Sequence, residues 1–243
     1  IQSQTRQLMI DGIFKGGSLE LPANPEKAIQ ATTAWGDFLP NSILTVLAVL
    51  IIVAAMPMYL RLAPVINNCM IRRKANTDLE HSMSLARQRN LCALLYVLPF
   101  CLVADRFRLF NPGFWTNIPE MWSSLATLGV FLIFCLLRAL FFFMLRPPVH
   151  QEAADTIHHL PYNFFIRLTS IMLATVGIST LLPLSEAVVR SVLLWETAVF
   201  FLLSIIRTSY FLSQHCSGLA TISYLCALEI LPAAVLVACP ILF

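Results

Sequence analysis

Apolar and polar stretches alternate along the chain, and most of the apolar stretches have the length of membrane spans. Six apolar stretches carry few charged residues and are separated by more polar segments. A helix that crosses the hydrocarbon core of a bilayer needs about 20 predominantly apolar residues. The pattern therefore predicts an all-α, polytopic membrane protein with about six transmembrane helices. The predicted spans cover residues 42–60, 91–104, 121–145, 164–182, 187–206 and 218–243.

The second predicted span, residues 91–104, is shorter than a typical crossing. It contains Pro99, and Asp105 and Arg106 follow it directly. A short or tilted crossing accounts for this composition, and so does a re-entrant segment that enters the membrane without crossing it. Both interpretations stay open at the level of the sequence.

The charge of the polar segments predicts the orientation of the chain. Residues 61–90 contain six Lys or Arg and two acidic residues. Basic loops lie preferentially on the cytoplasmic side, so we expect this segment to be a cytoplasmic loop. Residues 1–40 then form an external, periplasmic arm ahead of a transmembrane domain at 41–243, and both termini are external. Because the chain begins with Ile1 rather than Met, we expect a cleaved signal peptide to export the arm.

The basic loop also contains apolar residues at helical spacing between Leu62 and Ile71. The favoured interpretation is a solvated cytoplasmic loop. The alternative is a helix along the membrane surface, in which Arg72, Arg73 and Lys74 contact anionic lipid headgroups.

Composition agrees with the membrane assignment. The chain is 58% hydrophobic and 12% charged, whereas soluble domains carry about 25% charged residues. No run of basic and aromatic residues suggests binding to nucleic acid. Seven cysteines occur without a CxxC motif and lie mostly in apolar stretches, so we interpret them as buried apolar residues rather than as disulfides or metal ligands.

Three charged residues fall well inside predicted spans, where a charge is costly. They are Arg138, Glu196 and Glu229, each on a different helix. A guanidinium can bridge two carboxylates and fix three helices in register, which is a structural role. The functional alternative is that two acids share one base, so that one carboxyl takes part in proton or cation coupling.

The histidines offer a weak candidate metal site. Asp155, His158 and His159 have spacings that place two of them on one helical face. No accompanying motif supports a metal, and a solvated amphipathic link is the favoured interpretation. The sequence also lacks a phosphate-binding glycine loop, a GxSxG motif and a recognisable nucleophile–base pair. We therefore predict no metal and no cofactor, and an enzymatic function has little support.

The segment Tyr224–Pro232, YLCALEILP, together with the basic loop and the external arm, resembles an uncharacterised multi-pass membrane family of Bacteroidota, a domain of unknown function. The resemblance implies a location in the inner membrane of a diderm bacterium, covers most of residues 35–243, and singles out Glu229. It lends no activity.

Two functions fit these features best, and a lipid- or cofactor-handling enzyme that uses the histidines is a third, weaker hypothesis. The first is a non-enzymatic integral membrane subunit, a scaffold or accessory component of an inner-membrane or cell-envelope assembly. Its expected partners are membrane lipids and other membrane or periplasmic proteins. The second is a small proton- or ion-coupled secondary transporter that uses Arg138, Glu196 and Glu229, although no inverted repeat or pair of broken helices accompanies it.

Overall fold

The structure is a computed structural model that describes residues 35–110, 119–144, 151–182, 184–214 and 218–231. These residues are helical, and the described part of the chain contains no strand. The helices are α1 (Leu39–Ile71), α2 (Arg73–His81), α3 (Met83–Arg106), α4 (Ser123–Met144), α5 (Gln151–Leu181), α6 (Glu186–Leu212) and α7 (Gly218–Leu225). Short 3-10 turns at Trp35–Asp37 and Glu120–Trp122 precede α1 and α4, and a π-helical turn, Cys226–Ile230, follows α7.

Four of the helical segments are long and apolar enough to cross a membrane. They are Leu39–Ile71, Glu120–Met144, Asp155–Leu181 and Glu186–Leu212. Many large apolar side chains of α1, α4 and α6 are exposed, whereas α5 exposes few. Apolar surface of this extent is typical of helices that face lipid. The described part of the chain is thus a bundle of helices, and its four long apolar helices indicate a membrane protein. The predicted arm, apart from the residues after 34, and the end of the last predicted span lie outside the described residues.

Helix α3 lies at the centre of the bundle, although it is not one of these four segments. It packs against α1, α4 and α5, and its C-terminal half is enclosed almost completely. One apolar core joins α1, α3 and α5, and a second joins the end of α3 to α5 and α6. The buried residues of the first core are Ala55, Leu62, Ile66, Cys92, Ala93, Tyr96 and Ile166. Those of the second are Val103, Leu168, Met172, Val189 and Leu193.

The basic segment 61–90 differs from the predicted loop. Helix α1 continues to Ile71, and α2 and the start of α3 follow with a single extended residue at each junction, Arg72 and Ser82. The physical reason is the helical spacing of apolar residues noted above, because Leu62, Ile66 and Cys69 lie on one face and are buried. The buried face packs within the bundle, so the segment is a folded unit.

Helix α4 covers nearly the same residues as the predicted span 121–145. Helices α5 and α6 are longer than the predicted spans 164–182 and 187–206. Helix α5 begins at Gln151 and runs through Pro161, where the sequence had placed a polar link and a helix start. Burial of Ile157 and Leu160 on the same helix offsets the backbone hydrogen bond that a proline removes. We call the part of the bundle formed by residues 62–71, 73–81, 83–90 and 155–163 the α2 cap.

Candidate functional site

Asp105, at the end of α3, is the centre of a buried hydrogen-bond cluster. Its Oδ2 accepts hydrogen bonds from Trp35 Nε1 at 2.7 Å, Ser123 Oγ at 2.9 Å and Ser124 Oγ at 2.8 Å. Its Oδ1 accepts one from Thr127 Oγ1 at 3.2 Å. These four donors are neutral groups, and together they replace the water that a carboxylate loses on burial.

The same cluster extends to the start of α1. Ser124 Oγ lies 2.8 Å from Asn41 Oδ1, and Asn41 Nδ2 donates to the carbonyl of Trp35 at 3.0 Å. The guanidinium of Arg106 lies 5.5 Å from the centre of the Trp35 ring, in a cation–π contact. We call Trp35, Asn41, Asp105, Ser123, Ser124 and Thr127 the Asp105 cluster, which joins the turn before α1 to α1, α3 and α4.

Arg89, near the opposite end of α3, is buried and belongs to a second, partly exposed polar cluster. Its side chain is 1% exposed and forms an ion pair with Glu80 of α2. Its Nε and Nη2 also donate to Asn90 Oδ1, at 3.0 and 2.9 Å. On the other side of the carboxylate, Nδ1 of His159 on α5 lies 3.4 Å from Glu80 Oε2. We call Glu80, Arg89, Asn90 and His159 the Arg89 cluster.

The electrostatics of Glu80 follow from these neighbours. Burial on its own would raise the pKa of this carboxyl, but the contacts with His159 and Arg89 favour the ionised form and lower the pKa overall. Glu80 is therefore a carboxylate whose ionised form is favoured by its neighbours on α3 and α5.

A pair of asparagines adds a second polar contact between α2 and α5. Asn163 Nδ2 donates to Asn76 Oδ1 at 3.2 Å, and Asn76 Nδ2 donates to the carbonyl of Cys69 at 2.9 Å. Arg207 of α6 reaches the same carbonyl, at 3.5 Å. Asn163 Oδ1 is buried and has no hydrogen-bond partner. Four helices thus meet at the end of α1 through polar groups.

The predicted intramembrane cluster of Arg138, Glu196 and Glu229 stays a prediction. Arg138 lies half-buried on α4. Glu196 Oε1 accepts a hydrogen bond from Thr175 of α5 at 2.5 Å, whereas Glu196 Oε2 is buried without a hydrogen-bond partner. Glu229 lies in the π-helical turn, and its side chain is outside the described residues. The described hydrogen bond of Glu196 therefore joins α5 to α6.

The three weak candidates for metal ligands, Asp155, His158 and His159, have different neighbours from one another. Asp155 is exposed, the His158 ring packs 4.6 Å from the Phe142 ring, and His159 faces Glu80. Within the described ranges, no three His, Cys, Asp or Glu side chains are close enough together to hold a metal ion.

The predicted lipid contacts also stay a prediction. Arg72 is exposed at the junction between α1 and α2, and the side chains of Arg73 and Lys74 are outside the described residues.

Sequence reasoning missed the residues that hold both clusters. Glu80 and Arg89 were assigned to a solvated loop, where charge needs no partner, and Asp105 was placed directly after the second predicted span without a partner. One signal was present for Asp105, since Ser123, Ser124 and Thr127 place hydroxyl groups at helical spacing at the start of an apolar stretch.

The geometry defines a helical membrane protein with a polar cluster at each end of its central helix. Comparison with models of known protein families, with curated proteins and with solved structures found no match.

Proposed function

We propose that the protein is a non-enzymatic integral membrane subunit, a scaffold or accessory component of an inner-membrane or cell-envelope assembly. One observation carries the proposal: the buried charges at both ends of α3 are engaged in contacts between helices. Asp105 joins α3 to α4 and to the turn before α1, and Arg89 joins α3 to α2. Side chains used in this way hold helices at fixed positions, which is what a subunit that presents surfaces to partners needs.

The membrane arrangement that we propose has six spans with both termini external. Helix α3 has 24 residues, and its part beyond the α2 cap, residues 91–106, is about 24 Å long at 1.5 Å per residue, so we propose a short crossing through a locally thinned bilayer. Helix α7 begins at Gly218, the first residue of the predicted span 218–243, and this supports a sixth crossing. The basic α2 cap is then cytoplasmic, in agreement with the positive-inside rule. We also propose that the protein lies in a bacterial inner membrane and that it belongs to the Bacteroidota family. Labelling of single cysteines at residues 36 and 87 from either side of the membrane tests the orientation.

The functional test is native mass spectrometry of the particle released from its own membrane with mild detergent, at natural expression level. We expect the chain to emerge bound to other proteins in a fixed ratio. A chain that emerges alone, and then performs saturable transport after reconstitution, contradicts the proposal. The matched control is a variant with an exposed side chain changed, Arg87→Gln, which should give the same particle.

A proton- or ion-coupled transporter is the second candidate, because Glu196 has a buried oxygen without a hydrogen-bond partner. Glu196 lies ten residues after the start of α6 at Glu186, about 15 Å along the helix and so near the centre of a span. In this case Glu196→Gln abolishes flux in reconstituted vesicles without unfolding the protein. Thr175→Val, which removes only the donor to the other oxygen, reduces flux less.

A further inference from the structure

Arg167 is a charged side chain inside one of the long apolar helices, α5. Its Nη1 donates to the hydroxyl of Tyr59 on α1 at 3.2 Å. Within the described ranges this phenol is its only hydrogen-bond partner, and no carboxylate there forms an ion pair with it. A guanidinium carries a full positive charge and five N–H donors. The contact with Tyr59 therefore satisfies only a small part of what this side chain can bind.

The contact between Arg167 and Tyr59 lies near the end of the spans that is next to the α2 cap. Arg167 is four residues after Asn163, at the edge of the cap, and so about 6 Å further along the helix. Tyr59 is close to the corresponding end of the predicted span 42–60 on α1. Tyrosine is enriched where a span meets the layer of lipid headgroups. Arg167 is therefore close to the level of the headgroups.

The face of α5 that carries Arg167 is enclosed toward the α2 cap and open in the opposite direction. Leu160 and Asn163 precede Arg167 on this face by two turns and one turn, and each is 2% exposed. Ala174 and Ile178 follow it on the same face and are exposed, while Arg167 itself is half-buried. An arginine near the end of a span usually reaches water along its own helix. Here that direction leads past buried residues, so the open side of Arg167 is the one that faces lipid.

Helices α1 and α5 both pack on α3, and the contact of Arg167 with Tyr59 joins them directly. Beneath this contact the Tyr59 ring packs against the ring of Tyr96 on α3, with 5.9 Å between the ring centres. Away from the cap, α1 exposes Met56, one turn before Tyr59, and α5 exposes Ile178. We call Met56, Tyr59, Arg167 and Ile178 the α1–α5 seam. The seam thus combines a charged, aromatic end near the headgroups with an apolar surface that continues into the membrane.

We propose that the α1–α5 seam binds an anionic phospholipid, whose phosphate contacts Arg167 and whose acyl chains lie along the apolar side chains of the seam. A planar guanidinium can donate two parallel hydrogen bonds to a phosphate, so the headgroup supplies both acceptors and a negative charge. A lipid reaches the seam from its open side within the bilayer, whereas the closed cap hinders a small soluble anion. This site does not depend on the role that the protein has in an assembly.

Native mass spectrometry of the delipidated full chain in detergent tests the lipid site. Titrations with phosphatidylglycerol and with phosphatidylcholine give two dissociation constants, for headgroups that differ in net charge. We expect the wild type to bind phosphatidylglycerol about tenfold more tightly than phosphatidylcholine. Excess inorganic phosphate should leave this preference unchanged. Equal binding of the two lipids overturns the proposal, and so does a preference that inorganic phosphate abolishes, since the site would then take a small anion.

Variants of Arg167 and a matched control separate the site from the general attraction of basic residues for anionic lipid. Arg167→Gln should bring the two dissociation constants to within about twofold of each other. The control, Arg61→Gln, changes an exposed arginine on the opposite side of α1 from Tyr59 and should keep most of the preference. If Arg167→Gln does not fold, Arg167→Lys replaces it and should lower the preference to about threefold, because an ammonium keeps the charge but loses the paired hydrogen bonds. An equal loss in Arg61→Gln, or an unchanged preference in the Arg167 variant that folds, contradicts the site.

Discussion

The two buried charges of α3 are stabilised in different ways. Arg89 pairs with an opposite charge on another helix, while Asp105 is surrounded by neutral hydroxyl and indole donors. They lie about 24 Å apart along the helix. An ion pair concentrates the compensation in one contact, so its loss leaves one strong uncompensated charge. A hydrogen-bond cluster distributes the compensation over several contacts, and we expect each one to be partly dispensable.

The largest expected effect is that of Arg89→Met. The substitution removes the partner of Glu80 within the α2 cap and should lower the free energy of unfolding by about 3–5 kcal/mol. Denaturant titration of the detergent-solubilised protein measures it. The control is Arg87→Met, an exposed residue on the same helix, for which we expect a change within about 0.5 kcal/mol. Similar losses in both variants would mean that the buried pair has no special role.

Asp105→Ala should have the second largest effect. It should lower the free energy of unfolding by about 2–3 kcal/mol, because it leaves hydroxyl and indole donors without an acceptor. Asp105→Asn keeps one acceptor oxygen and should cost less than Asp105→Ala. The same unfolding titration compares the two. If Asp105→Asn is the more damaging variant, the negative charge itself and not the acceptor oxygens holds the Asp105 cluster together.

Replacing both members of the ion pair sharpens the comparison. Glu80→Leu combined with Arg89→Met leaves no buried charge, so the double variant should recover most of the stability lost in Arg89→Met, to within about 1 kcal/mol of the wild type. The parallel change at the other end, Asp105→Leu with Ser124→Ala, should not recover stability, because the donors of Trp35 and Thr127 lose their acceptor. A double-mutant cycle for each pair measures the coupling directly.

The smallest expected effect is the contribution of Glu80 to acid sensitivity. Its pKa in the folded protein lies below the reference value of 4.5, so the folded state binds the proton less readily than the unfolded state. The stability that Glu80 contributes is therefore complete above that value and is lost as the pH falls through the folded-state pKa. Between about pH 5 and pH 3 the wild type should lose more stability than Glu80→Gln. Parallel curves for the two proteins would exclude this contribution.

The sequence predicted the helical membrane class because length and apolar composition are local properties. The apolar stretches at 121–145 and 187–206 correspond to α4 and α6, and that at 42–60 lies inside α1. The start of α5 was missed because residues 151–163 are polar and contain Pro161. Ile157 is buried against Phe211 and Leu212 of α6, which are distant in sequence, so local composition carried no sign of this packing.

The polar clusters could be predicted only in part, for the same reason. Glu80 and Arg89 are nine residues apart, and they face each other because the chain turns sharply at Ser82, a residue without a strong turn signal. Glu196, by contrast, could be singled out from the sequence, because charge inside an apolar stretch is visible without knowledge of the fold; it is half-buried on α6. Its hydrogen bond to Thr175 required the packing of α5 against α6.

The central position of α3 bears on how the protein is made. The apolar part of this helix is bounded by charged residues and falls short of the other spans in length, so the insertion machinery has a weak signal for releasing it into lipid by itself. Helices α4 and α5 cover α3, and both are synthesised after it. We expect a nascent chain that ends near residue 110 to leave α3 poorly inserted, and a chain extended through α5 to retain it. The most enclosed helix of the finished protein would then be one that completes its insertion only when later helices arrive.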